Sequence, residues 1–382
     1  METNFIMLDD VADNLRQLPA TSGFINGRAI RAADDRFESV VITGISDRPL
    51  GSETIGRWRR VDLPSAASLA KSPADPFPLL LLCPEADGPY ELYRVDTAEL
   101  LTPLVISPFK NDFLARVAPI LGNQSLAGKR ATIVGVGSVG SCAADQLNRS
   151  GIGGFILVDT DRVTAPNLCR TIYERSDIGR LKVDALADHL REVNPSAVID
   201  VKAADITGLS EDELTTLVSQ SDVIVAATDS VQAQTLINAL AFQATPVVYV
   251  GMYPGAHTGE IIFTLPNQTA CYECILGEIL QQPNAPDRGQ PDYGRVDRLM
   301  AEPGLGPDII HVTAAAVKIA LAILTRQDPL ANLGEIIRPT RNLLLIGNKP
   351  EWIFGESFQT TWVETTRHED CPACGTAQEI AS

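Results

Sequence analysis

A glycine-rich turn between a strand-like run and a helix-like run constrains the fold of this chain more than any other feature. The apolar, β-branched run 130–136 leads into Gly135, Gly137 and Gly140, which form the pattern G-x-G-x-x-G before a helical pattern. The first glycine permits a tight bend, the second lets backbone N–H groups approach a phosphate, and the third lets the helix lie close to the strand. Asp159 ends the next strand-like run, where a carboxylate accepts hydrogen bonds from ribose hydroxyls. The pattern predicts a nucleotide site, with NAD and ATP both open.

Strand-like and helix-like runs alternate after this turn. Alternation of this kind builds βαβ units, whose strands lie parallel. The expected fold class is therefore α/β, with a Rossmann-like, mostly parallel sheet. Strands are expected at 130–136, 154–158, 197–202, 222–227 and 247–250, with helices that end near Arg149 and at Val193.

The first part of the chain has a different pattern. Short strand-like runs at 39–45, 78–83 and 90–95 are separated by turns rich in Pro, Gly and Asp. We expect a smaller α+β domain over residues 1–120, followed by the nucleotide-binding domain over 121–382.

The charge balance excludes several classes of partner. The 382 residues include 31 Lys and Arg against 48 Asp and Glu, which gives a formal net charge of −17. Because phosphate contacts need clustered cations, we expect neither nucleic acid nor an anionic membrane as a partner. The apolar run 312–324 contains Lys318 and is shorter than the ~20 residues of a membrane span. No basic flank precedes an apolar stretch at the N-terminus, so we expect a cytoplasmic protein.

Four of the seven cysteines form two Cys-x-x-Cys pairs, Cys271 with Cys274 and Cys371 with Cys374. In a cytosolic chain such pairs indicate metal binding rather than disulfides. Four thiolates give Zn²⁺ a closed tetrahedral shell with no position for substrate. The sequence therefore predicts a structural zinc site that joins the middle of the second domain to its C-terminal tail.

Three short segments after the second strand carry a more specific pattern. They read Asp-x-Asp at 159–161, Asn-Leu-Cys-Arg at 167–170 and Gly-Arg-Leu-Lys at 179–182. With the glycine turn, they resemble the ThiF/MoeB/ubiquitin-activating-enzyme superfamily. The layout is similar to that of microcin-type peptide adenylyltransferases and bacterial ubiquitin-like activating enzymes. The resemblance implies Mg·ATP-dependent adenylation of the C-terminal carboxylate of a ubiquitin-like protein or a ribosomal peptide.

The resemblance covers about residues 110–375 and implies roles for individual side chains. Asp161 and Asn167 are expected at the nucleotide, with Arg170 and Lys182 beside its phosphates. Cations there stabilise the charge that develops on pyrophosphate, whereas a dehydrogenase has no need of them. The alternative for Lys182 is a solvated lysine on a helix surface.

Asp229 follows the fourth strand, at the edge of a parallel sheet where ligands bind. In the resembled family this aspartate binds magnesium, which prefers oxygen ligands, and the alternative is the N-cap of the next helix. Five residues on, Gln234 replaces the family's usual arginine, while Asn238 keeps the family's asparagine. The resemblance also implies a homodimer in which Arg116 reaches the partner's site. The alternative for Arg116 is an ordinary surface arginine.

Many members of the superfamily form a thioester on a cysteine after the first Cys-x-x-Cys pair. Here the stretch 275–310 contains no cysteine, and Leu299 stands at the family's cysteine position. The segment 281–294, rich in Pro, Gly and Asp, is expected to be a mobile crossover loop over the substrate tail. Cys142 is expected to be buried in a helix, and Cys169 has no evident thioester role. We therefore expect adenylation without an enzyme-bound thioester.

Two rival functions stay open, an NAD-dependent oxidoreductase and a non-catalytic scaffold. Gln234 and the missing cysteine favour the scaffold. The joint presence of Asp159, Arg170, Lys182 and Asp229 opposes it. The acceptor of the acyl group is not evident from the sequence, and a sulfur carrier is a further candidate substrate.

The first domain shows a weak resemblance to a JAMM-type isopeptidase at 21–28 and 56–61. Arg59, Arg60 and Val61 replace the metal-binding H-x-H pair, so zinc hydrolase chemistry is excluded. We expect a domain for dimerisation or substrate binding. A peptide clamp and a degenerate first half of an activating enzyme are the alternatives.

Overall fold

A seven-stranded sheet and an eight-stranded sheet form the cores of two units, Met1–Phe113 and Leu114–Ser382. The first unit carries β1–β7, and the second carries β8–β15. The computed structural model describes residues 4–31, 37–61, 76–84, 90–95, 99–100, 113–122, 126–280 and 303–375.

The boundary between the units lies ahead of the one expected between residues 120 and 121, because the segment after Phe113 packs within the second unit. A Cβ on Gly151 would lie 2.8 Å from the Leu114 side chain, so the two are in close contact. Asn332 donates a backbone hydrogen bond of 3.0 Å to the carbonyl of Ile120. These contacts depend on residues far along the chain, which local composition does not reveal.

The first unit has the strand order β1-β3-β2-β4-β5-β6-β7. The pairs β1 with β3 and β4 with β5 are parallel, and the other neighbours are antiparallel. The three strands expected here are present as β3, β5 and β6. The elements are β1 (Asn4–Met7), α1 (Asp9–Gln17), β2 (Ser22–Arg31), β3 (Phe37–Ser46), β4 (Thr54–Val61), β5 (Leu79–Pro84), β6 (Glu91–Arg94) and β7 (Glu99–Leu100).

Arg60, at the position of the missing H-x-H pair, has a structural role in the first unit. Its guanidinium donates hydrogen bonds of 2.5 Å to the carbonyl of Leu15 and 2.9 Å to that of Leu18. These carbonyls belong to the C-terminal end of α1, where a cation also meets the negative end of the helix dipole. Arg60 therefore ties α1 to β4.

The second unit has the strand order β10-β9-β8-β11-β12-β13-β14-β15. The first five strands in this order are parallel, and β13, β14 and β15 extend the sheet in antiparallel fashion. The expected α/β fold with a mostly parallel, Rossmann-like sheet is confirmed. The elements are α2 (Ala118–Leu121), β8 (Arg130–Val134), α3 (Ser138–Arg149), β9 (Gly154–Val158), α4 (Lys182–Val193), β10 (Val198–Lys202), α5 (Glu211–Ser219), β11 (Val223–Ala226), α6 (Val231–Ala241), β12 (Val247–Met252), β13 (Thr258–Thr264), α7 (Tyr272–Leu280), α8 (Gly306–Thr325), β14 (Leu343–Gly347) and β15 (Gln359–Val363).

Helices cover both faces of this sheet, which explains why the central strands β9 and β11 contain no polar side chain. Every residue of β9 and β11 is buried. One core includes side chains of α3, α4 and α8, and the other includes side chains of α5, α6 and α7. Because neither face of a central strand meets water, period-two alternation is absent.

Within the described residues, α8 alone is long and apolar enough to cross a membrane by length and composition. The helix spans the 20 residues Gly306–Thr325 and is therefore longer than the apolar run 312–324, which was expected to be too short to cross a membrane. Val312, Ala316 and Ala320 are instead buried in the core beside the sheet. The burial of α8 accounts for its apolar composition.

Candidate nucleotide site and cysteine cluster

The carboxyl ends of β8, β9 and β11 surround a cavity of about 550 Å³. The connections from β8 run to one side of the sheet and those from β11 to the other, and ligands bind at such a switch point. Among the residues predicted for the nucleotide, six line this cavity. These are Gly135, Gly137, Asp159, Asp161, Lys182 and Asp229.

The three glycines of the turn serve different purposes. Gly135 has a φ of +82°, and a Cβ on Gly140 would lie 1.8 Å from the carbonyl oxygen of Gly135, so the fold itself requires both. A Cβ on Gly137 would meet no atom within 4 Å. Gly137 precedes the first turn of α3, whose N–H groups favour an anion. The open space over Gly137 therefore fits a phosphate group.

This difference predicts opposite outcomes for two alanine substitutions. Gly137→Ala should keep the fold and lose only ~1 kcal/mol of stability, because the new methyl group would meet no atom within 4 Å although the backbone ψ of −144° is unfavourable for alanine, and it should weaken Mg·ATP binding at least ~10-fold. Gly140→Ala should cost ~3 kcal/mol of stability or prevent folding, because backbone atoms occupy the position of the new methyl group. Thermal melting and calorimetric titration measure both effects. Gly128→Ala is the matched control, since its Cβ would also meet open space but lies outside the cavity lining.

Asp159 connects the glycine turn to the end of β9. Its Oδ2 accepts a hydrogen bond of 2.8 Å from the Val136 amide, and its Oδ1 accepts one of 2.8 Å from the Asp161 amide. Each carboxylate oxygen has a second lone pair. The same group therefore orders the loop and has acceptor capacity for ribose hydroxyls.

Lys182 is buried at the cavity wall, so the solvated-lysine alternative is wrong. Its side chain is 9% exposed, and Nζ lies 2.7 Å from Oδ2 of Asp161, whose side chain is 63% exposed. Lys182 is also the first residue of α4 and donates its amide to the Asp161 carbonyl at 2.9 Å. A buried ammonium group needs a nearby negative charge. Asp161 meets that need here, and the lysine stands where a phosphate can also reach it.

Asp229 lines the same cavity and is not the cap of α6. Ser230 is the N-cap, and its Oγ accepts a hydrogen bond of 3.2 Å from the Ala233 amide. The N-cap alternative for Asp229 is therefore wrong. Its exposed carboxylate at the end of β11 is of the type that binds Mg²⁺.

Gln234 points into the protein rather than standing in for the family's arginine. Its Nε2 donates a hydrogen bond of 2.8 Å to the carbonyl of Thr228, and its Oε1 accepts from the hydroxyl of Tyr272. The side chain is buried. Gln234 also lines a second, smaller cavity, which shares Thr228 and Asp229 with the first and contains the buried Glu260.

The four predicted metal ligands come together in one cluster. Neighbouring Sγ atoms lie 3.7 Å apart for Cys271 and Cys274, 3.6 Å for Cys271 and Cys371, and 3.4 Å for Cys274 and Cys374. All four Sγ atoms lie within 4.8 Å of one another. Tetrahedral Zn²⁺ with bonds of ~2.3 Å places its sulfur ligands ~3.8 Å apart. The cluster therefore fits zinc.

The surroundings of the cluster suit a structural metal. Burial raises the pKa of the Cys274 thiol, and a bound metal would take the place of its proton. The amide of His368 donates to the Cys274 sulfur at 3.4 Å. A Cβ on Gly375 would lie 2.4 Å from the Glu369 carbonyl, so the second knuckle requires glycine at this position.

The sequence model of the ThiF family matches residues 111–344. This chain belongs to the ThiF family.

Its relatives include "Ubiquitin-like modifier-activating enzyme 5" from Drosophila mojavensis, 33% identical over 171 residues that cover 42% of this chain and 43% of the relative. The same-named protein of Caenorhabditis elegans is 31% identical over 173 residues, covering 42% of this chain and 41% of the relative. The ThiF-family chain thus spans about two fifths of the length of the curated relatives that it matches.

Solved structures of E. coli MccB have a similar fold. One has a TM-score of 0.51 at 19% identity and covers 66% of each chain. A second, described as the microcin C7 biosynthetic enzyme MccB in complex with N-formylated MccA, has a TM-score of 0.50 at 18% identity. That match covers 66% of this chain and 69% of MccB. At this level of identity the likeness concerns the fold alone.

Besides Gly140, three residues of this ThiF-family chain that were predicted for the nucleotide site lie outside the described lining of the cavity. Asn167 accepts hydrogen bonds from the amide and hydroxyl of Thr164, at 2.8 and 3.0 Å, and so caps a short turn. Arg170 is half-buried beside Gly304, and Arg116 is exposed.

The expected crossover loop at 281–294 and Leu299 fall outside the residues that the structure describes. The ion pair between Asp161 and the buried Lys182 was not evident from the sequence.

The remaining cysteines of the ThiF-family chain differ in accessibility. Cys142 is half-buried rather than buried as expected, because it lies on the side of α3 that faces a separate cavity beside α8. Burial raises the pKa of Cys83 to about 12. Cys169 is exposed, and its thiol donates to the Pro166 carbonyl at 3.3 Å.

Proposed function

We propose that this chain binds Mg·ATP in the cavity at β8, β9 and β11 and adenylates the C-terminal carboxylate of a ubiquitin-like protein or a peptide. The observation that carries the proposal is the buried Lys182, which lines the same cavity as Asp229 and as Gly137, over which a Cβ would meet open space. Relatives named as ubiquitin-like modifier-activating enzymes support this substrate class. The complex of MccB with MccA supports the peptide alternative.

The reaction requires that the protein position the two reactants and neutralise developing charge, rather than supply a general base. A carboxylate oxygen of the substrate attacks the α-phosphorus of ATP, and the bond from that phosphorus to the bridging oxygen of pyrophosphate breaks. The electron pair leaves with pyrophosphate, where Lys182 would neutralise the added charge, and the family resemblance assigns the same role to Arg170 although it lies outside the described lining. The carboxylate is already ionised near pH 7, so no general base is required. Holding the two reactants in line is then the main task of the protein.

Each described group has a place in this scheme. Gly137 allows the phosphates to approach the first turn of α3, and Asp159 accepts from the ribose hydroxyls. Phosphate binding would compete with Asp161 for Lys182 and so release that carboxylate. Asp229 would hold Mg²⁺, which would offset the charge of the phosphates. A homodimer in which Arg116 reaches the partner's site is part of the proposal and depends on the family resemblance.

Nucleotide choice separates this proposal from the oxidoreductase alternative. Calorimetric titration should detect binding of Mg·ATP and no binding of NAD at the same concentration. Adenylation itself is tested with α-³²P-labelled ATP and carriers or peptides with a free C-terminus, in which label should appear on the carboxylate. If the chain binds Mg·ATP but neither labels a carboxylate nor releases pyrophosphate, the non-catalytic scaffold is favoured.

The absence of an enzyme thioester is a separate prediction. With its substrate and Mg·ATP, the chain should show no thiol-reducible adduct on a gel, because Cys271, Cys274, Cys371 and Cys374 are the predicted zinc ligands. The acyl-adenylate would pass directly to an outside nucleophile.

Three alanine variants test the remaining thiols. Cys83→Ala, Cys142→Ala and Cys169→Ala should each retain ATP–pyrophosphate exchange. A reducible adduct that disappears in one of these variants would refute the prediction. Cys169 is the first to examine, since it is the exposed one of the three.

A further inference from the structure

A chain of hydrogen bonds connects the cysteine cluster to the nucleotide cavity. Tyr272 lies between the predicted zinc ligands Cys271 and Cys274, and its hydroxyl donates to Oε1 of Gln234. The other end of the same amide, Nε2, donates at 2.8 Å to the carbonyl of Thr228. Thr228 directly precedes Asp229, the proposed magnesium ligand. Two hydrogen bonds therefore connect the zinc knuckle to the backbone that carries this carboxylate.

A second anchor fixes the same knuckle to the same helix. Asn238, one turn beyond Gln234 on α6, accepts a hydrogen bond of 3.1 Å from the Tyr272 amide. Residues four apart lie on one helix face, so both contacts belong to one interface between α6 and the knuckle. The Tyr272 ring stacks on Tyr249 with centroids 4.6 Å apart. The knuckle therefore holds the tyrosine in one position.

Burial makes this chain of bonds sensitive to the loss of one member. Tyr272 is fully buried, and Gln234 is 5% exposed. Without the tyrosine hydroxyl, the Gln234 oxygen would lose that partner in a place with little water, which favours rotation of the amide. Rotation would release the carbonyl of Thr228. The neutral glutamine suits this buried position better than the family's arginine, whose charge would need a counter-charge.

We propose that Tyr272 is a positioning residue that couples the zinc centre to the magnesium side of the nucleotide site, acting through Gln234 and Thr228 on Asp229. This inference rests on the proposed function. It assigns to the zinc centre a role in nucleotide binding in addition to holding the C-terminal tail. It also gives Gln234 a structural role, which the comparison with the family's arginine at this position does not explain.

The test compares Tyr272→Phe with Tyr249→Phe, which removes a hydroxyl from the other ring of the same stacked pair. Titration calorimetry measures the Kd for Mg·ATP and for ATP without magnesium, and metal analysis measures zinc per chain. Tyr272→Phe should keep its zinc, raise the Kd for Mg·ATP ~5-fold, and leave the Kd for magnesium-free ATP unchanged. Tyr249→Phe should leave both constants unchanged.

A double-mutant cycle with Gln234→Ala separates the relay from general damage. If both residues act through one path, the Kd of the double variant for Mg·ATP should be no higher than that of the single variant with the higher Kd. Equal Mg·ATP binding by wild type and Tyr272→Phe would overturn the inference. Equal loss for both forms of ATP would also overturn it, because that result describes a structural role only. Failure of the wild type to bind Mg·ATP would refute the proposed function and the inference with it.

Discussion

We expect Asp229→Asn to abolish ATP–pyrophosphate exchange and to leave the fold unchanged. A neutral amide is a poor ligand for Mg²⁺, and the charge of the ATP phosphates then lacks its main counter-charge at the end of β11. Exchange should fall at least ~100-fold, equivalent to ~2.7 kcal/mol of lost transition-state stabilisation. The melting temperature should not change, because Ser230 rather than Asp229 caps α6.

Asp222→Asn is the matched control at the opposite end of the same strand. Asp222 lies 2.9 Å from Nζ of Lys129 and accepts from the Arg130 amide at 2.8 Å. Asparagine keeps an acceptor for that amide, so exchange should stay near the wild-type rate. Wild-type exchange in Asp229→Asn would contradict the magnesium assignment. A lowered melting temperature in that variant would mean that Asp229 has a structural role.

Cys374→Ser has the second large expected effect, on stability. Metal analysis of the wild type should find one Zn²⁺ per chain, and the variant should lose most of it, because a serine oxygen is a poor replacement for a thiolate. Loss of the metal frees the C-terminal knuckle from Cys271 and Cys274. We expect a loss of ~4 kcal/mol in the free energy of unfolding and a melting temperature lower by ~10 °C.

Cys169→Ser provides the control for this experiment. Cys169 is exposed and outside the cluster, so the same chemical change should alter neither zinc content nor melting temperature. Wild-type protein that contains no zinc, and is as stable as Cys374→Ser, would show that the four cysteines are ordinary thiols. Zinc that stays bound in the variant would mean that three thiolates suffice.

The alternation of elements in the second unit was predictable because its signals are local. β8, α3 and β9 lie within a few residues of their expected bounds, since the glycine turn places a strand before it and a helix after it. The antiparallel strands β13, β14 and β15 were not identified. β13 pairs with the preceding strand β12 and with β14, which lies far along the chain, and the apolar pattern of β13 alone does not specify its direction.

The candidate site divides in the same way. The residues Gly137, Asp159 and Asp229 were identified from spacing, and the structure brings them to one cavity. The family resemblance also placed Asn167 and Arg170 at the nucleotide, whereas they lie outside the described lining. A motif gives the order of residues along the chain, but the direction of each side chain depends on the turns between them.

The sequence by itself determined the family, the βαβ core and the four cysteines, because each depends on residue identity at short, fixed spacing. Only the tertiary structure decided what surrounds these residues. It showed that Lys182 is buried against Asp161, that Ser230 caps α6, and that Gln234 joins Tyr272 to the end of β11. Burial and hydrogen-bond partners are set by packing between distant segments, and a linear pattern carries no measure of those distances.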